Sequence, residues 1–113
     1  MTIHALIQEL VSAWKANDAL RASAFFAPEA TYHESGREPL VGRDAIFAQF
    51  QRFFRDGPAW RFDVEEIIAE DDCAAIAYRF AVKGPAGDWQ ERAGCALLRR
   101  EAGLIVQWRE YHG

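Results

Sequence analysis

The residues near the C-terminus have the types and spacing for proton-transfer chemistry. In Leu104-Ile105-Val106-Gln107-Trp108-Arg109-Glu110-Tyr111-His112-Gly113, β-branched and aromatic residues alternate with polar ones, which is the pattern of a strand. A period of two puts Val106, Trp108, Glu110 and His112 on one face, and Ile105, Gln107, Arg109 and Tyr111 on the other. A carboxylate and an imidazole two residues apart on a strand face lie ~7 Å apart, close enough to share a bound water or ligand and to move a proton. Two readings of Glu110 stand on the pattern alone. It is a proton-transfer group, or it is a buried acceptor held by Trp108 or Tyr78, because an unpaired buried carboxylate is costly. His112 has the corresponding alternative of fraying, since only Gly113 follows it in the sequence.

Other chemistries find little support. His4, His33 and His112 show no ligand spacing such as His-x-x-x-His, and Cys73 and Cys95 are isolated, so neither a metal site nor a disulfide framework is expected. Cys95 has no base partner at a readable position and reads as a small apolar residue.

The elements that must position these residues can be read in order. Ile3, Leu6, Ile7, Leu10, Val11 and Trp14 form the apolar stripe of a first helix, with Thr2 as its cap. Asn17 or Asp18 caps a short second helix running to Phe25-Phe26 and closed by Pro28. A strand follows at Ala30–Glu34, then a loop from Ser35 to Gly42 holding two glycines and Pro39. A third helix starts near Arg43-Asp44, with Ile46, Phe47, Phe50, Phe53 and Phe54 as its stripe, and ends at Asp56-Gly57-Pro58. The second half is β. Trp60, Phe62 and Val64 alternate with charged residues, Cys73–Val82 is almost continuously apolar, and Trp89–Arg99 precedes the final strand. The turns fall at Glu70-Asp71-Asp72, Lys83–Asp88 and Glu101-Ala102-Gly103. The layout α-α-β-α-β-β-β-β predicts a single α+β domain over residues 1–113, a cone-shaped roll in which three helices cover one face of a strongly curved, mostly antiparallel sheet. Such a cone encloses a small-molecule cavity.

Composition agrees. Half of the 113 residues are hydrophobic, and aromatics reach 13%, enough for one core and too little chain for two. The formal charge of −4 is interspersed along the chain with no basic stripe, which argues against a nucleic-acid partner. Met1-Thr2-Ile3-His4 has no basic n-region, and no apolar run approaches a membrane span; a cytoplasmic protein with no membrane partner is the expectation.

Three segments carry a family resemblance: Phe25-Phe26-Ala27-Pro28-Glu29-Ala30-Thr31-Tyr32, Pro39-Leu40-Val41-Gly42-Arg43-Asp44-Ala45-Ile46, and Gly103-Leu104-Ile105-Val106-Gln107-Trp108-Arg109-Glu110-Tyr111. On these the chain resembles the SnoaL-like branch of the nuclear-transport-factor-2-like superfamily, which also holds ketosteroid isomerases and limonene-epoxide hydrolases. The resemblance speaks for the fold, and function has to come from the pocket residues. It implies that Tyr32 and Glu34, then Tyr78, Phe80 and Val82, then Glu91, Ala93, Cys95 and Leu97, then Trp108, Glu110 and His112 face inward. Trp60, Phe62 and Val64 join them by hydrophobicity alone.

Glu34 then falls where the isomerases keep a general-base carboxylate, with a solvent-exposed ion pair to Arg37 as its alternative. The isomerase oxyanion donors are replaced by Leu10 and Cys95, which disfavours steroid isomerisation. The epoxide-hydrolase Arg-x-Asp finds only Arg79-Phe80-Ala81, so that acid is missing too. Glu91 is a third candidate carboxylate, or a surface partner of Arg92 or Lys83.

The expectation is a cofactor-independent enzyme that moves protons on an apolar substrate, by isomerisation, cyclisation, dehydration or hydrolysis. Glu110, Glu34 and His112 are its candidate catalytic residues. Trp14, Tyr32, Trp60, Phe62, Tyr78, Phe80, Glu91, Cys95 and Trp108 are its candidate substrate contacts. The rival is a non-catalytic ligand-binding or dimerisation scaffold. In either case the outer sheet face is expected to pair two copies about a twofold axis.

Overall fold

The computed structural model describes residues 1–112; Gly113, counted above with the final strand, lies outside the described residues. Helix α1 (Ile3–Lys15) forms as its periodicity predicts. Its stripe residues are all buried, and the Thr2 hydroxyl caps it by accepting from the Ala5 amide at 3.0 Å. The Asp18 carboxylate caps α2 (Ala19–Ser23) through the Arg21 amide.

Here the structure departs from the sequence reading. Helix α2 stops at Ser23, and Phe26 already begins strand β1 (Phe26–Glu34), with Pro28 inside it. A proline without an N–H is tolerated because β1 is irregular there, its register shifting between Phe26 and Thr31. The supposed loop before α3 also contains a two-residue strand, β2 (Leu40–Val41), paired with Tyr32 and Thr31. Gly42 takes a left-handed φ of 97° to turn the chain into α3 (Arg43–Asp56), where a side chain would be strained. Arg43 Nε donates to the Phe26 carbonyl at 2.8 Å, tying α3 to the irregular stretch of β1.

Strands β3 (Trp60–Glu70), β4 (Cys73–Lys83), β5 (Trp89–Glu101) and β6 (Leu104–His112) form an antiparallel meander. The six strands make one sheet in the order β2-β1-β6-β5-β4-β3, with β1 and β6 parallel. The α+β class and three-helix cover stand, but the strongly curved cone does not form: the sheet is open and not strongly curled. Two edges remain because a two-residue β2 offers too few groups to meet β3. The cavity is closed instead by α1 and α3 lying over one face, through Trp14, Phe50, Phe53 and Phe54.

The inner face is a single core. Trp108, Tyr78, Phe26, Ile76 and Ile105 are its largest fully buried sheet residues, packed under Ile7, Leu10 and Ile46 of the helices. Two facing expectations fail, each through register. In β5 the inner positions are Gly94, Ala96 and Leu98, which sit opposite Tyr78, Ile76 and Ala74; Glu91, Ala93, Cys95 and Leu97 occupy the outer face. In β6 an extra residue at Val106, opposite the Arg99–Arg100 step, lets Ile105 turn into the core instead of outward. No described helix is long and apolar enough to cross a membrane.

Candidate functional site

At one end of the inner face, five strands lie side by side and α3 covers them. They enclose a cavity of about 480 Å³, within the range of small-molecule sites. Its wall divides into a polar corner and an aromatic arm.

The polar corner is built on β1, β6, β5 and β4. Glu110 is at its centre, its side chain 12% exposed. Its Oε1 accepts from the Tyr32 hydroxyl at 2.6 Å and from Trp108 Nε1 at 2.8 Å. The alternation of β6 puts Trp108 and Glu110 on one face, and the parallel pairing of β1 and β6 sets Tyr32 opposite Trp108. The two rings stack 6.0 Å apart with planes 2° from parallel, which aims both donors at the same oxygen. Glu110 Oε2 accepts no hydrogen bond among the described residues; His112 Nε2 lies 3.7 Å away.

Burial raises the Glu110 pKa above its ordinary 4.5, against the opposing hydrogen bonds from Tyr32 and Trp108, and the nearby Glu34 charge adds to the rise. Burial likewise holds His112 below its ordinary 6.5, with the Arg92 charge adding to it. The corner thus places a carboxyl that takes up protons readily beside an imidazole that gives them up readily.

Tyr78 completes the corner, its hydroxyl 3.1 Å from His112 Nε2. Its ring stacks on Phe62 at 4.6 Å and lies against Gly94. A Cβ at Gly94 would fall 2.5 Å from the Tyr78 ring, so only glycine admits this ring position. Desolvation raises both Tyr78 and Tyr32, the latter further beside Glu110, so each is a neutral hydroxyl over ordinary pH. Glu34 pairs with Glu110 in the β1–β6 register but sits at the rim, with Arg37 Nε 3.8 Å from its carboxylate.

The aromatic arm consists of Phe53 and Phe54 from α3, Trp60 from β3 and Phe80 from β4. Phe54 stacks on Trp60 at 5.9 Å, and Phe53 lies within 6.3 Å of both Trp60 and Phe80. Trp14 forms the floor, edge-on to Phe50, Phe62 and Trp108. A second depression of about 520 Å³ opens between the end of α1 and the start of β3, but its titratable side chains, Lys15, Arg61 and Asp63, are exposed and do not converge.

Most of the residues read from the sequence therefore meet: Glu110, Glu34, His112, Trp14, Tyr32, Trp60, Phe62, Tyr78 and Phe80 all line the cavity, and Trp108 stands directly behind Glu110. Two do not belong with them. Cys95 points to the outer face opposite Ala77. Glu91 borders the cavity rim, but its carboxylate is held by Arg79 at 3.1 Å, in an outer-face cluster with Glu65. Arg79 is therefore not an inner-face arginine.

Three residues were missed. Gln90, Arg92 and Gly94 are the inner positions of β5 at this end. The signal for them was Gly94, whose place in a long strand marks a close approach of another group. With Gly94 and Ala96 flanking the outward Cys95, the inner positions beside Cys95 carry no side-chain donor for an oxyanion, and no acid follows Arg92 on its face.

Several solved structures share the fold. An NTF2-like protein from Burkholderia thailandensis superposes with a TM-score of 0.87 at 18% identity, covering 100% of this chain and 92% of its own. An LEH-like epoxide hydrolase from M. tuberculosis matches with a TM-score of 0.81 at 17% identity, over 96% of this chain and 80% of its own. The epoxide hydrolase/cyclase-like enzyme SalBIII, involved in pyran ring formation in the polyether salinomycin, matches at 0.84 and 15% identity, over 97% and 89%. These identities speak for the fold alone. No curated protein matches the chain by sequence. The family model for the SnoaL-like domain matches residues 7–108, an interval that runs from the first helix to the tryptophan behind Glu110, and the chain belongs to that family.

Proposed function

We propose that the chain is a cofactor-independent enzyme that transfers protons on an apolar small molecule, with Glu110 as the acid/base. The observation that carries this reading is the asymmetry of Glu110. One oxygen is saturated by Tyr32 and Trp108, while the other, 3.7 Å from His112 Nε2, accepts no hydrogen bond among the described residues, in a side chain that lines the cavity. Fixing one oxygen orients the carboxyl, and burial moves its pKa toward the range where one group can both take and return a proton. Tyr78 and His112 present a hydroxyl and an imidazole to a substrate oxygen, and the arm receives its apolar body. Glu34, at the rim with Arg37, is the second carboxyl through which a proton can leave. Relatives of the same fold that are named as an epoxide hydrolase and a hydrolase/cyclase-like enzyme support an enzymatic reading.

The test is deuterium uptake at the α-carbon of enolisable bicyclic ketones such as 2-tetralone, followed by NMR. The native chain should accelerate exchange over buffer, and Glu110→Gln should reduce the acceleration by roughly a hundredfold or more. Exchange at the buffer rate across such a panel, or an undiminished rate in the variant, sinks the proposal.

A second reading has its own support. Two strong donors on Oε1 are what a purely structural buried acceptor needs, and a ligand-binding scaffold would keep them. Under that reading, ligands bind and Glu110→Gln changes nothing but stability. The outer face of β4–β6 presents Ala75, Ala77, Cys95, Leu97 and Tyr111, and a second copy is the partner we infer for it. Light scattering at twice the monomer mass is the expected result.

A further inference from the structure

The cavity wall carries a cation that nothing described so far occupies. Arg92 is an inner-face residue of β5, paired with Phe80 of β4. Both line the cavity. Gly94, two residues along, lies between Tyr78 and His112, so Arg92 stands ~7 Å along the strand from the polar corner. On its other side, Phe80 leads to Phe53 and Trp60, with ring centroids at 6.3 and 6.5 Å. Arg92 is thus an exposed residue of the cavity lining, at the strand step where the corner gives way to the arm.

The two carboxylates at the rim have arginine partners of their own. Glu34 has Arg37 at 3.8 Å, and Glu91 has Arg79 at 3.1 Å on the other face. Glu110 has two donors on one oxygen. Gln49 and Gln90, the remaining polar residues of the wall, are neutral amides able to donate. Arg92 makes no hydrogen bond or ion pair among the described residues.

We propose that Arg92 is a specificity-determining residue that selects ligands carrying a carboxylate on an aromatic or fused-ring body. The inference rests on the cavity being the ligand site and names the substrate class for it. A guanidinium offers a planar fork that matches a carboxylate with two parallel hydrogen bonds. A ring attached to that carboxylate extends toward Phe80, Phe53 and Trp60, the half-buried aromatics with no polar partner of their own. An uncharged ring compound fills the same arm but leaves the fork empty.

The experiment compares 1-naphthoate with 1-naphthamide, which differ in charge and hardly in shape, by calorimetric titration of the full chain. The native protein should bind the acid roughly tenfold or more tightly than the amide, the scale of a charge-assisted pair. Arg92→Gln should remove that preference while leaving amide affinity within about twofold, and Arg92→Lys should keep part of it. Arg37→Gln should leave it intact. Equal affinity for acid and amide in the native chain, a preference that survives Arg92→Gln, one that Arg37→Gln abolishes, or no binding of either probe overturns the proposal. If Arg92→Gln does not fold, the native comparison and Arg92→Lys still decide. Equal binding would remove this role from Arg92 and leave Glu110-dependent deuterium exchange to be judged by its own measurement.

Discussion

The polar corner and the aromatic arm share one cavity and are held together in different ways. In the corner each ring is fixed by a specific neighbour: Tyr32 by the stack on Trp108, and Tyr78 by Phe62 on one side and the bare backbone of Gly94 on the other. Glu110 Oε1, the Tyr32 hydroxyl, Trp108 Nε1 and the Tyr78 hydroxyl each have a directional partner, so a displaced side chain leaves a buried group unsatisfied. The arm is held by ring contacts between half-buried side chains at 5.9 to 6.5 Å, with no side-chain hydrogen bond among the described residues to orient them. A misplaced ring there loses contact area gradually. The difference assigns the chemistry to the corner and tolerance of ligand shape to the arm.

The comparison breaks most sharply at Gly94. Gly94→Ala drives a methyl into the Tyr78 ring, and overpacking of this kind costs about 1–3 kcal/mol. Urea unfolding should show the loss, and the Tyr78–His112 contact should go with it. Tyr32→Phe should cost about 1–3 kcal/mol, the range for hydrogen bonds to a carboxylate. It should also move the Glu110 pKa further up, because the lost donor had favoured the charged form; infrared titration of the carboxyl reads the direction. A downward move would mean that Tyr32 does not act on Glu110.

The pH dependence sharpens the same contrast. Glu110 has a folded pKa above its unfolded value, so the unfolded chain releases that proton first as pH rises, and the native state loses stability from about pH 4.5 up through the folded pKa. Glu110→Gln removes this loss. Relative to the native chain, its stability should grow across that window and level off above it. His112 has the opposite sign: its folded pKa lies below 6.5, so its contribution is present above that value and is lost as pH falls. In the arm, Trp60→Ala should weaken naphthamide binding several-fold while leaving the Glu110 titration unmoved. The smallest effect is expected on the outer face, where Glu91→Gln removes a solvent-exposed partner of Arg79 and should change neither melting temperature nor ligand affinity measurably.

Much of this arrangement was legible in the sequence. The stripe of α1, the alternation of Trp108, Glu110 and His112, and the turn residues between strands follow from local periodicity, and the structure keeps them. What failed was parity. The run through β5 is apolar on neither face consistently, so its period fixes no side, and the choice of Glu91 and Cys95 came out one residue off. Gly94 held the missing information, since a glycine in a thirteen-residue strand asks what lies against it. Pro28 misled for a related reason: proline ends helices, but an irregular strand at the same place accepts it equally well. Arg92 was read only as a possible surface partner of Glu91 because nothing local distinguishes an arginine that faces a cavity from one that faces water.

The parallel pairing of β1 with β6 has a consequence for how the molecule comes together. The meander from β3 to β6 grows by short turns, but the bond from Tyr32 to Glu110 spans 78 residues, and closing so long a loop is entropically costly and slow. The last long-range step of folding is then expected to be the docking of β1 on β6, and that step also brings the two donors and Glu34 to Glu110. Pulsed hydrogen exchange should show amides of β4 and β5 protected before those of β1. A chain that has not finished folding would hold its acidic group in water with an ordinary pKa, so the site should acquire its chemistry only when the fold is complete.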